Sequence, residues 1–334
     1  YLQAVFSDLS PTWLACGLVI GLTAVHASTR RNSGGMQRIF TALKVFMILV
    51  FCVLAWTLVT EPRTDVNFAP GRGDATLMLS GGFAVALIFV NYAYTGWNAA
   101  TYLTGELVDP ERNLSTVLVR STLVVMGLYV LLNFTFLYVA PMESMVGQLE
   151  IGYIAAQYVF GETGARIMGV ALAALLISTV SAMIMAGPRV LQVIGQDFPP
   201  FRWLARTNSH EVPDFAIVLQ SLATLVFILT ASFETILVFA GFTLGVNTFF
   251  TVLGVFVLRW RRPDLERPYR TPCYPLPPLV FLAITGWTLA YILRDRPEEG
   301  LMGLAIITSG ALFYGLTVWL GRFPVESTKR PKQR

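Results

Sequence analysis

Between residues 39 and 60 the chain reads IFTALKVFMILVFCVLAWTLVT, and runs of the same kind recur near 11–28, 79–105, 116–140, 165–187, 213–232, 236–259, 276–293 and 300–320. About 20 apolar residues is the length an α-helix needs to cross the hydrocarbon core of a bilayer. Backbone in lipid must satisfy its own hydrogen bonds, which leaves helices or closed barrels. Barrel strands would be about 10 residues of alternating polarity, and these runs do not alternate. Buried core helices of a water-soluble protein would not need so many uninterrupted runs of this length. The expected fold is therefore all-α, a polytopic membrane helix bundle with about nine spans. Only 13% of residues are charged, against about 25% in an ordinary soluble domain.

Charge orients the bundle. With the first span running inward, the stretches 29–38, 106–120, 188–212, 259–275 and the tail from 321, together with Lys44, carry 19 of the 24 Lys and Arg. The opposite side has Arg63, Arg72, Arg166, Arg294 and Arg296. The positive-inside rule places the richer side, and so the C-terminus, in the cytoplasm. The net charge of +4 is then topological and calls for no nucleic acid. The three cysteines and two histidines sit apart from one another and from carboxylate clusters. Neither a metal site nor a nucleophilic active site is expected, and no cofactor motif is present. Tyr1 opens the chain without a cleavable signal segment. The odd span count reads as a truncated chain.

Ionisable or helix-breaking residues inside spans are costly, so each is a candidate for function. The first place is FVNYAYTGWNAATYLTGE, residues 89–106, where an apolar half gives way to Tyr92, Ala93, Tyr94, Thr95, Gly96 and Asn98. Two half-helices meeting near Ala93–Gly96 would expose amide and carbonyl groups to a polar solute, as discontinuous helices do in secondary transporters. A continuous helix with a small-residue notch at Gly96 is the plainer alternative. The second place is Lys44, which shares a helical face with Gln37 and Thr41. It lies about 10 Å along the axis from Gln37, so it could snorkel to the interface or turn into the bundle and exchange a proton. The third is the hydroxyl cluster Ser178, Thr179 and Ser181, in a span read as ending at Gly187-Pro188-Arg189. Such hydroxyls either glue helices together or line a cation site. Glu234 reads as a solvated turn residue, and Asn247 as a helix-helix bond or a cavity residue.

RIFTALKVF (38–46), NYAYTGWNAATYLTGELVDPERNLSTVLV (91–119), AGPRVLQVIGQD (186–197) and RWRRPDLERPYRTPCYP (259–275) resemble the amino acid, polyamine and organocation transporter superfamily. The likeness is to its L-type amino acid transporter branch and bacterial relatives. The resemblance implies an inverted-repeat, leucine-transporter-type fold of twelve helices, two of them broken at mid-membrane. The nine spans would be helices 4 to 12, with the first three missing, in a transporter domain over 1–321 followed by a basic cytosolic tail over 322–334. It also implies that Tyr92 stands at an aromatic gate where the family usually has Phe. Ala93, Tyr94, Thr95 and Gly96 would be an unwound segment that receives the substrate ammonium, and Asn98 would begin the second half-helix. Lys44 matches a lysine that replaces sodium in relatives, and Ser178 and Thr179 lie where sodium-driven members place ion ligands.

The expectation is a plasma-membrane permease for an amino acid, working by alternating access and coupled to protons or to exchange rather than to sodium. A polyamine or organic amine carrier, and a transport-inactive sensor or scaffold of the same fold, are the alternatives. An ion channel would need a charged or carbonyl-ring filter, and an intramembrane enzyme a catalytic cluster; neither pattern is in the sequence. The implied partners are a small amino acid or amine and the lipid bilayer, with monomer and homodimer both open.

Overall fold

The computed structural model describes residues 10–28, 33–63, 69, 71–97, 109–210, 212–267 and 269–319, with side chains of the second helix from 38 onward. Its regular elements are helices: α1 (Pro11–Ser28), α2 (Ser33–Leu58), α3 (Asp74–Met78), α4 (Gly81–Ala93), α5 (Pro110–Val139), α6 (Met142–Met145), α7 (Ile151–Asp197), a 3-10 segment (Pro199–Ala205), α8 (Asp214–Thr230), α9 (Phe233–Arg261), α10 (Leu276–Asp295) and α11 (Pro297–Trp319). Seven of these are long and apolar enough to cross a membrane, and α4 and α8 are shorter apolar helices. Their outward faces are hydrophobic, as a lipid solvent requires. On α2, Ile39, Phe46 and Val53 recur every seven residues and all point out of the fold.

Local chemistry explains the helix ends. The Ser80 hydroxyl accepts from the Phe83 amide at 3.2 Å and starts α4, and Ser232 accepts from the Thr235 amide at 3.1 Å and starts α9. Each satisfies one amide that lacks a partner within its helix. Pro110 opens α5, its missing N–H costing nothing in the first turn. That helix begins inside the stretch read from sequence as the cytosolic loop 106–120.

One compact unit holds α1, α2, α5, α6, most of α7, and α8; the other holds α3, α4, α9, α10, α11 and the end of α7. In the first, Phe51, Cys52, Ala55 and Val59 of α2 are buried with Val139 of α5 and Tyr153, Ala155, Ala156 and Ala165 of α7. Phe51 meets Phe136 and Phe160 edge-on, with centroids at 5.9 and 6.1 Å. The expected span 165–187 proves to be the middle of the 47-residue α7, interrupted at Gly161 (φ 71°, ψ −175°) and continuing through Pro188 to Asp197. Pro188 removes one backbone donor but is fully packed, and neighbouring helices compensate such a loss.

In the second unit Ile88, Val238, Phe242, Val246 and Ile292 form the core. Glycines let these helices approach: Gly241 faces Ile88 of α4, Gly245 faces Leu289 of α10, and Gly303 of α11 faces Phe242 and Thr243. The i, i+4 pair Gly241/Gly245 thus serves two different neighbours. A Cβ on Gly303 would lie 2.8 Å from the Phe242 ring, which is wholly buried and has nowhere to go. Gly303→Ala should therefore destabilise the protein by about 1–3 kcal/mol, the usual cost of overpacking. It would be read as a lower thermal midpoint in detergent, whereas Gly310→Ala, which meets open space, should leave the midpoint unchanged.

At one edge of this unit, Arg296 forms an ion pair with Glu234 and lies 3.8 Å from Glu299, itself nearly buried. Glu234, read from sequence as a solvated turn residue, is therefore an ion-pair partner in the first turn of α9. Arg296 is 62 positions away in sequence, so no local pattern announces the pair.

Candidate functional site

Residues 90–97 decide how α4 ends. The Tyr94 amide is shared between the carbonyls of Val90 and Asn91 at 3.2 and 3.1 Å, and the Thr95 amide goes to Tyr92 O at 3.0 Å. The Thr95 hydroxyl donates to the same carbonyl at 2.6 Å. Local side-chain bonds of this kind compete with the helical ladder. Gly96 then takes φ +101°, a conformation that side chains of L-residues rarely adopt. The helix stops at Ala93, where the sequence pattern put a break, and Tyr94–Trp97 turn. At 13 residues α4 is about 20 Å long, too short to cross a hydrocarbon core of about 30 Å unaided.

Among the expected substrate-binding residues, Tyr92 and Ala93 are the last two of this helix, and Tyr94, Thr95 and Gly96 form the turn. Ala93 is thus still helical, not unwound. The Tyr92 ring is partly exposed. The Thr95 side chain, whose effect on the pocket the sequence left open, is spent on its own backbone. Asn98 and the expected second half-helix lie outside the described residues.

Lys44 is six residues past Arg38 in α2. Its Nζ donates to Thr179 Oγ1 at 2.7 Å, across 135 positions of sequence, rather than reaching for the helix end. Thr179 in turn donates to Leu175 O at 3.4 Å in its own helix. A lysine has three N–H donors and no acceptor, so a hydroxyl oxygen on the facing helix is a suitable partner. Ser178, the next residue, is 4% exposed. Two of the three expected coupling residues therefore touch, and the third is buried beside them. The Tyr92–Gly96 group belongs to the other compact unit.

Sequence reasoning passed over a second polar seam in the first unit. His26 Nε2, in the last turn of α1, lies 2.8 Å from Ser181 Oγ of α7. Thr23 Oγ1 lies 2.6 Å from Ser221 Oγ of α8. Gln220 Nε2 donates to Met183 O at 3.4 Å, and Asn208 Nδ2 to Ala27 O at 2.9 Å. Gly187 brings α7 against the Gln220 amide, so a Cβ there would displace the end of that side chain. Ser181 stood out as part of a hydroxyl cluster, but His26 read as a solitary histidine because its partner is 155 positions away.

Comparison with known proteins agrees with this architecture. The family model described as amino acid permease matches residues 1–313. The chain is 27% identical over 314 residues to the mouse b(0,+)-type amino acid transporter 1, covering 92% of this chain and 62% of that protein. It is 28% identical over 322 residues to the human large neutral amino acids transporter small subunit 2, covering 92% of this chain and 57% of that protein. The chain thus spans roughly three fifths of the length of these curated relatives. Bilayer-length helices and a family match over nearly its whole length establish a multi-pass membrane protein, and the chain belongs to the amino acid permease family of the amino acid, polyamine and organocation superfamily.

Proposed function

We propose that the protein is a secondary active amino acid transporter of the plasma membrane, with its C-terminus in the cytoplasm. It works by alternating access and is driven by protons or by exchange rather than by sodium. Residues 1–321 would form the transporter domain and 322–334 a basic tail. In this reading the end of α4 holds the substrate. The turn at Tyr94–Gly96 and Asn98 receive the ammonium and carboxylate ends, and Tyr92 covers them. The relatives' names speak of amino acids, one of them of large neutral amino acids, so a zwitterionic amino acid is the proposed cargo.

One observation carries the choice of coupling: the ammonium of Lys44 on the Thr179 hydroxyl at 2.7 Å. The ammonium repels a monovalent cation from the same oxygen, and the Thr179 hydroxyl then serves the lysine rather than sodium. Radiolabelled amino acid uptake into proteoliposomes tests this. Uptake should be unchanged when choline replaces sodium, and should rise with an inward proton gradient or with preloaded unlabelled amino acid. Uptake that needs sodium would overturn the coupling, and binding without flux would favour a sensor over a carrier.

A further inference from the structure

The C-terminal end of α9 has a surface that the transport reading does not use. Phe250, Leu253, Val257 and Trp260 follow at i, i+3, i+7 and i+10 on one helical face, and all are exposed, Trp260 by 81%. Arg261 ends the helix beside that stripe, Arg262 caps it, and both are exposed. Two other arginines, Arg267 of the following loop and Arg259 in the last turn of α9, are committed to holding this end. Arg267 donates from Nη1 to Pro263 O and Leu265 O at 3.1 and 2.7 Å, and from Nη2 to Arg262 O at 2.8 Å. Arg259 lies over the Tyr274 ring at 3.6 Å, and that ring packs on Phe256 at 5.5 Å. Among the described residues, no ion pair joins Arg261 or Arg262 to Asp264, Glu266 or any other carboxylate.

We propose that this end of α9 binds the headgroup phosphate of an anionic phospholipid. The apolar stripe runs beside the acyl chains, Trp260 sits at headgroup depth, and the two guanidiniums meet the phosphate. The parts agree physically: Trp prefers the membrane interface, guanidinium pairs with phosphate in bidentate fashion, and basic residues beside a span attract anionic lipid. A soluble phosphate would gain nothing from the stripe, whereas a lipid uses both features at once. The loop bonds of Arg267 and Arg259 hold the pair in place, so little ordering is needed on binding. The inference does not depend on which solute is carried.

Native mass spectrometry of the purified protein with phosphatidylglycerol or phosphatidylcholine tests it. Phosphatidylglycerol should be preferred, and Arg261→Gln with Arg262→Gln should weaken it by about 30-fold, roughly fivefold per arginine. Arg294→Gln, at the far end of α10, should leave it unchanged. Equal retention of the two lipids, an unaltered preference in the double variant, or full displacement by soluble glycerol phosphate would each overturn the proposal. A measurement on the unaltered protein guards against misfolding: photoactivatable phosphatidylglycerol should label the Trp260–Arg262 peptide well above the 294–299 segment. Even labelling would overturn the proposal as well.

Discussion

Lys44→Met is expected to flatten the pH dependence of amino acid uptake while leaving the protein folded. The substitution keeps the length of the side chain but deletes the ammonium that donates to Thr179. The hydroxyl retains its bond to Leu175 O, so no buried polar atom is stranded and stability should change little. What disappears is the titratable group that, among the described residues, links α2 to the hydroxyl cluster of α7. If proton binding there drives transport, the acceleration by an inward proton gradient should fall by roughly 5- to 150-fold, the range of typical coupling energies. Thr179→Val removes the acceptor and keeps the charge; it should shift the pH profile rather than erase it. Proteoliposome uptake measured from pH 5 to 8 for both variants checks this. A Lys44→Met profile that still follows the wild type would remove the lysine from coupling.

Gly96→Val should raise the KM for the amino acid roughly tenfold. Gly96 sits at φ +101°, and a β-branched residue forced there costs about 1–3 kcal/mol, with 1.4 kcal/mol corresponding to a factor of ten in affinity. Space is not the obstacle, since among the described residues an added Cβ would meet nothing within 4 Å. The penalty is purely conformational, and the turn can escape it only by changing the path of Tyr94–Trp97. Gly96→Ala should show the same direction with a smaller rise. Initial rates of counterflow across a concentration series would give the values, and an unaltered KM in Gly96→Val would separate the turn from the binding site.

The features legible from sequence are those written locally. Bilayer-length apolar runs announced the helices, because lipid allows little else to be built from them. The end of α4 was legible because Thr95 and Gly96 act on their own backbone within a few residues. The meeting of Lys44 with Thr179 came from family likeness rather than from pattern, since the bond closes 135 positions of chain. His26 shows the limit: nothing near residue 26 hints at Ser181, and only the packing of α1 on α7 makes the pair. Pro188 misled for a related reason. Proline usually marks a helix end by its own chemistry, but here close packing carries α7 on to Asp197. The glycines of α9 had an ordinary spacing, and their separate partners became apparent only once α4 and α10 lay against them.

The seam joining α1, α7 and α8 restricts how that part of the protein can deform. Three polar links, His26 to Ser181, Thr23 to Ser221 and Gln220 to Met183, span neighbouring turns of the three helices, and Asn208, in the connection before α8, adds a fourth to Ala27 of α1. Sliding any one helix by a single residue, about 1.5 Å, would strain several of them together. The trio is therefore stiff against shear and must swing as one piece. The give in its backbone lies where α7 already departs from helical geometry, at Gly161, ahead of every one of these fastenings along that helix.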